Sequence, residues 1–186
     1  MISCGPRPEA GVQSSPAAAA SAAPAATSWR IDAGSIGTSV HPIHGRIGVA
    51  TDDGAIGVRY HRTRGEAAGI AVQLAPGTFS ADDSIELIGS AQPEQRVHLC
   101  LTDANGVVWT FPTVKLRGER TVGVVRVADL RPDPFQNAGK TVPAAPDLAS
   151  MTMLTVLDIS GFMGGQVEEC AWRVESLAVA GTEVGR

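Results

Sequence analysis

Residues 96–116, RVHLCLTDANGVVWTFPTVKL, constrain this chain more than any other stretch, because they read as a β-hairpin whose turn fixes its register. Val97, Leu99 and Leu101 alternate with His98, Cys100 and Thr102, the period-two pattern of a strand with two unlike faces. The turn Asp103-Ala104-Asn105-Gly106 puts Asp at the first position of a type I turn and Gly three residues later. That chemistry suits a three-residue loop closed by a G1 bulge, with Gly106 in the left-handed region. The loop pairs Asp103 with Val107, Leu101 with Trp109 and Leu99 with Phe111. One face then collects Val97, Leu99, Leu101, Trp109 and Phe111, and the other collects His98, Cys100, Thr102, Val108 and Thr110. A two-residue Asn105-Gly106 turn would mix the faces. A one-residue slip flips every side chain, so the register that keeps the faces distinct is expected. Trp109 and Phe111 are therefore predicted to be core.

The same alternation recurs along the chain. Residues 55–62 (AIGVRYHR) set Ile56, Val58 and Tyr60 against Gly57, Arg59 and His61, and residues 68–74 (AGIAVQL) repeat the pattern with Ile70, Val72 and Leu74. Ile85 and Leu87 flank Glu86, and residues 121–127 (TVGVVRV) are apolar on both faces, which predicts a central strand. A Pro-rich loop over 131–148 leads to strands at 151–159 and 171–180. In the last strand Trp172 and Val174 share one phase and Leu177 and Val179 the other, so a bulge is expected near Ser176. About eight to ten short strands, with no sustained helical period and no repeat, predict an all-β, two-sheet antiparallel sandwich.

The first 28 residues have another character. Met1-Ile2-Ser3-Cys4 resembles the end of a bacterial lipobox, although no charged and apolar signal regions precede it. Residues 5–28 follow as a Pro/Ala/Ser-rich stretch with almost no side chain able to build a core, which predicts a disordered tether. The expected organisation is a tether over 1–28 and a folded domain over 29–186. Cys4 is the candidate lipidation site, which would anchor the domain in the bacterial periplasm or outer membrane through lipid alone. The alternative is a disordered tail with an incidental cysteine. A net charge of −4 and a pI near 5.5 argue against nucleic acid and against electrostatic attraction to an anionic membrane.

Catalytic motifs are absent: there is no Gly-x-Ser-x-Gly elbow, Walker loop, His-Glu-x-x-His helix or paired Cys-x-x-Cys. His41-Pro42-Ile43-His44 brings two imidazoles close, but Pro42 forbids a regular helix and no third ligand is indicated; a surface loop is the simpler reading. Acidic pairs fall at predicted turns. Asp52 or Asp53 could hold a structural Ca²⁺ together with loop carbonyls; solvated turn residues are the alternative. With Cys4 set aside, Cys100 and Cys170 remain as a possible disulfide in an oxidising compartment. Cys100 is on the outward phase and Cys170 shares the core phase of Trp172, whereas a disulfide needs Cβ atoms about 3.8 Å apart. The bond stays open on these grounds.

The order of pieces resembles a known family. GVRYHR and AGIAVQL precede DSIELIGSAQPEQRVHLCLTDANGVVWTF, then VGVVRVADLRPDPF, LASMTMLTVLDIS and CAWRVESLAV. Together, over about residues 29–180, they resemble the galactose-binding-like jelly rolls, in particular family 11-type carbohydrate-binding modules and complex I intermediate-associated protein-like domains. The resemblance implies a sandwich that binds a sugar or a protein partner on one sheet face or loop rim, often with structural Ca²⁺. Arg59, His61, Gln73, Glu86, His98 and Arg173 all fall on outward phases and form the candidate ligand face, with side chains suited to sugar hydroxyls. The expected function is non-catalytic glycan binding, and the alternative is a scaffold or assembly protein that binds another envelope protein. Scarce aromatic residues, 4% of the chain, leave little for a stacking platform.

Overall fold

A computed structural model describes residues 29–43 and 47–180. Cys4, the tether over 1–28 and His44 lie outside the described residues. The strands are β1 (Arg30–Ile31), β2 (Val40–Ile43), β3 (Ile47–Asp52), β4 (Ala55–His61), β5 (Ala68–Gln73), β6 (Ser84–Gln92) and β7 (Gln95–Asp103). They continue with β8 (Val108–Thr110), β9 (Val114–Leu116), β10 (Thr121–Arg126), β11 (Arg131–Pro132), β12 (Met151–Asp158) and β13 (Glu169–Ala180). Among the described residues these form two antiparallel sheets. The first runs β10-β6-β13-β4-β3 with β1 beside β13, and the second runs β11-β8-β7-β12-β5-β2 with β9 beside β7.

Turn chemistry sets the register as expected. Leu101 pairs with Trp109, the Phe111 amide donates to the Leu99 carbonyl, and Gly106 has φ +76°. The Asp103 carboxylate accepts from the Asn105 and Val107 amides, which holds the loop closed. Val97, Leu99, Leu101, Trp109 and Phe111 all lie in the core. Across from them, Ile56, Val58, Ile85, Leu87, Trp172 and Leu177 fill the inner face of the first sheet. The bulge in β13 falls between Val174 and Ser176, and both halves of the strand keep their apolar residues inward.

Two expectations change, and the open disulfide is decided. Strand β10 is an edge, not a centre: it pairs only with β6, and Val122 and Val124 are 50% and 59% exposed. Apolar residues on both faces indicated burial, but only the Val125 phase is covered. The outer face of the hairpin is not open either. Cys100 and Val108 are buried because the segment after β11 folds across them: Asn137 exchanges hydrogen bonds with the Val108 backbone, and the Gln136 amide reaches Cys100 Sγ. Finally, Cys100 and Cys170 are both free. Cys170 faces the core from the first sheet, whereas Cys100 faces away from the core on the second, and sheets stack about 10 Å apart. Their Cβ atoms cannot meet.

One polar cluster crosses the sandwich. Asp158, at the end of β12, accepts from Tyr60 of β4 and from Arg62 Nε at 3.2 Å. Arg62 also donates to Gln95 and, at 3.0 Å, to Glu168. Arg62 is 5% exposed and Asp158 2%. Burial, reinforced by Asp158, raises the Tyr60 pKa far above that of a free phenol. Removing one partner of such a pair strands the other charge, at a cost of about 3–5 kcal/mol. Arg62→Met should therefore lower stability by about that amount in urea unfolding. Adding Asp158→Asn should return a large share of it; a double variant no more stable than the single one would refute charge stranding as the cause.

Candidate functional site

The outer face of the first sheet carries two adjacent cross-strand rows. Ala50, Gly57, Arg173 and Ser90 form one, and Gly48, Arg59, Ala171 and Gln92 form the next. The middle of each row sets a small residue beside an arginine, Gly57 beside Arg173 and Arg59 beside Ala171. The result is a groove of about 270 Å³, with Asp52 at one end and Gly118 at the other. That is near the lower end of the range of about 300–1,000 Å³ found for small-molecule sites.

The tight turn between β3 and β4 positions Asp52. Asp53 and Gly54 both have positive φ, 49° and 74°, the two-residue hairpin geometry that Asp-Gly favours. Gly57 then leaves room beside the Asp52 side chain, since a Cβ there would lie 2.8 Å from Asp52 Cβ. Into that space comes Arg173, whose Nη2 donates to the Asp52 carbonyl at 2.9 Å and whose Nε lies 3.3 Å from Asp52 Oδ2. The Nε makes no hydrogen bond and is shielded from solvent. A cation at Asp52 would compete with this guanidinium. Arg59 is exposed and makes no hydrogen bond or ion pair with another described residue, and the same holds for the Ser90 hydroxyl and the Gln92 amide.

The six residues expected to form a ligand face divide between the sheets. Arg59, His61, Glu86 and Arg173 share the outer face of the first sheet, whereas Gln73 and His98 belong to β5 and β7 of the second. Alternation gives a side chain's phase within its strand but not the sheet the strand joins. Of the four, only Arg59 and Arg173 line the groove. His61 pairs with Glu169 at 2.9 Å beyond its end, and Glu86 sits next to Val124 and Ala178. Sequence reasoning missed Ser90 and Gln92, although both fall on the outward phase of Glu86 in β6. Trp172 is the one aromatic residue among those that line the groove, and it is buried with its side chain in the core; no exposed ring is there to stack on a sugar.

No protein-family model matches the chain, and no curated protein does. Solved structures do. A family 11 carbohydrate-binding module of the cellulosomal cellulase Lic26A-Cel5E of Clostridium thermocellum is similar with a TM-score of 0.63 at 13% identity, over 85% of this chain and 96% of that one. A family 11 module from Clostridium thermocellum in complex with a β-1,3-1,4-mixed-linked tetrasaccharide has a TM-score of 0.61 at 14% identity, over 83% and 95%. An exo-β-agarase is matched at 0.56 and 12% identity over 79% of this chain, which spans only 24% of the agarase. These likenesses bear out the fold that the family 11 side of the sequence resemblance implies and do not bear on its complex I side. The chain has the jelly-roll β-sandwich fold of the family 11 carbohydrate-binding modules.

Proposed function

We propose that this chain is a non-catalytic glycan-binding module whose ligand lies across the two groove rows. The observation that carries the reading is the set of unengaged polar groups, Arg59, Ser90 and Gln92, around the small residues Gly57 and Ala171. The fold supports it, since one structure that shares it holds a mixed-linked tetrasaccharide. Sugar hydroxyls both donate and accept. Arg59 supplies donors, Gln92 and Ser90 supply both kinds of group, and Asp52 supplies an acceptor. The groove is lined by one carboxylate, Asp52, and Arg173 stands against it; glycoside hydrolysis ordinarily needs two carboxyl groups flanking the bond. The arrangement therefore favours holding a sugar over cleaving it.

Around this core we place the finer reading. Cys4 carries lipid, residues 5–28 hold the domain off the membrane, and the module works in the bacterial periplasm or at the outer membrane. One observation favours a second reading, an envelope-protein partner. Val122 and Val124 stand exposed on the edge strand β10, and an apolar edge strand can add a partner strand.

A glycan array that includes the mixed-linked β-1,3-1,4 tetrasaccharide, probed with the full chain, tests the main reading. Binding is expected, and Arg59→Ala should weaken it about 10-fold or more, the loss of one charged hydrogen bond of about 1.5–3 kcal/mol. Its melting temperature should not move, because Arg59 holds nothing else. Silence across the array would sink the glycan reading and move attention to a pull-down through β10. The array repeated with Ca²⁺ and with a chelator reads out the calcium expected at Asp52 or Asp53.

The anchor has its own test. In a bacterial host, labelling of the precursor with a radiolabelled fatty acid should disappear in Cys4→Ser. Labelling that persists in the variant would refute the anchor.

A further inference from the structure

The second sheet carries a side-chain cluster that the glycan reading does not use. His98 and Cys100 are two residues apart on β7, so both point to the outer face. The chain leaves the sandwich edge at β11 and returns across this face, and the Asp133 side chain arrives beside them. One ligand atom from each of His98, Cys100 and Asp133 lies within 4.8 Å of the other two. Cys100 and Asp133 are buried, at 0% and 4% exposure, and His98 is half-buried.

We propose that His98, Cys100 and Asp133 form a binding site for a divalent transition-metal ion of the zinc class. A thiolate, an imidazole and a carboxylate together suit Zn²⁺, whereas Ca²⁺ and Mg²⁺ take oxygen ligands. Bonds of about 2.0–2.3 Å in a tetrahedron separate the donor atoms by about 3.3–3.6 Å. The observed spread is wider than this by the reach of a side-chain rotation.

The surroundings fit an ion-holding role. Asp133 Oδ1 accepts from the Phe135 and Gln136 amides and so fixes the carboxylate, while Oδ2 accepts only from the Gln136 side chain at 3.3 Å. The same Gln136 amide reaches Cys100 Sγ at 3.9 Å. The Thr110 hydroxyl sits between His98 Nε2, which it hydrogen-bonds, and Cys100 Sγ at 3.8 Å. These two groups engage the three ligands now and would orient them around an ion, as outer-shell partners do in metal sites. Gln136 is exposed and its side chain can swing aside for entry. Three protein ligands leave a fourth position for water.

A catalytic cysteine is the rival explanation, and its burial is against it. Cys100 is 0% exposed beneath the segment that crosses β7, whereas reactive cysteines sit in partly exposed surroundings that a substrate can reach. A metal ion supplies the charge that draws off the thiol proton. Bound there, it would clamp the crossing segment around Asp133 onto β7.

Titration of the full chain with Co²⁺, a coloured stand-in for Zn²⁺, tests the proposal. The expected result is a strong near-ultraviolet thiolate-to-cobalt band with visible bands of tetrahedral intensity, both removed by one equivalent of Zn²⁺. Cys100→Ser should abolish the near-ultraviolet band, and Cys170→Ser should leave it intact. His98→Gln, at a half-buried position that tolerates the change, should weaken Co²⁺ binding by more than about 100-fold, beyond the 10–100-fold typical of outer-shell changes. Gln136→Ala should fall within that smaller range. Zn²⁺ should also raise the melting temperature of the unmodified chain but not of His98→Gln. No thiolate band on the folded protein, or an equal band in Cys100→Ser or His98→Gln, would overturn the assignment.

Discussion

The bulge in β13 is the constraint on which the first sheet depends. This strand lies at the centre, with β6 on one side and β4 on the other. Its sequence changes phase between Val174 and Leu177, so an unbroken strand would bury one apolar pair and expose the other. One extra residue near Glu175 absorbs the change. Trp172, Val174 and Leu177 then all reach the core, and on the outer face Arg173 and Ala171 stay in register with Gly57 and Arg59 of β4. The groove is a by-product of that registry. A strand shifted by one residue would bring Trp172 into the groove and turn Arg173 into the core.

The two sheets treat their outer faces differently, and the difference decides where a ligand can bind. On the first, Gly48, Ala50, Gly57 and Ala171 leave a low floor. On the second, Cys100, Thr155 and Leu157 are buried, and residues after β11 lie over β7 and β8. The Asp133 backbone amide anchors that cover by donating a hydrogen bond to the Val108 carbonyl, and the Asn137 side chain exchanges two more with the same residue. A segment without regular structure holds its place because its backbone groups are satisfied by the sheet beneath it.

What could be read from the sequence follows from this geometry. The hairpin register, the core identity of Trp109 and Phe111 and the bulge were legible, because each depends on local turn chemistry or on period-two phase. The division of the candidate face between two sheets was not, since Gln73 and His98 have the right phase on strands that pair elsewhere. Nor was the burial of Cys100, which depends on a contact with Gln136, 36 residues later in the chain. The error over β10 has the same root. Val122 and Val124 on one face and Val125 and Val127 on the other signal apolar surroundings on both, but pairing order, which no single strand encodes, made β10 an edge.

On the proposed reading, a groove without an exposed aromatic ring would recognise a glycan differently from a stacking platform. A ring face offers broad apolar area to almost any pyranose, whereas Arg59, Ser90, Gln92 and the Asp52–Arg173 pair offer hydrogen bonds of fixed direction. Net gains from such bonds are modest, about 0.5–1.5 kcal/mol for a neutral one, so affinity must come from several made together. Discrimination is sharper, because a hydroxyl in the wrong orientation leaves a polar group of the groove unpaired. Arg173 adds to this: its Nη2 donates to the Asp52 carbonyl and its Nε lies 3.3 Å from Asp52 Oδ2, so its guanidinium stands in the groove with its direction already fixed. A glycan-binding groove built this way would choose among sugars by the placement of their hydroxyls.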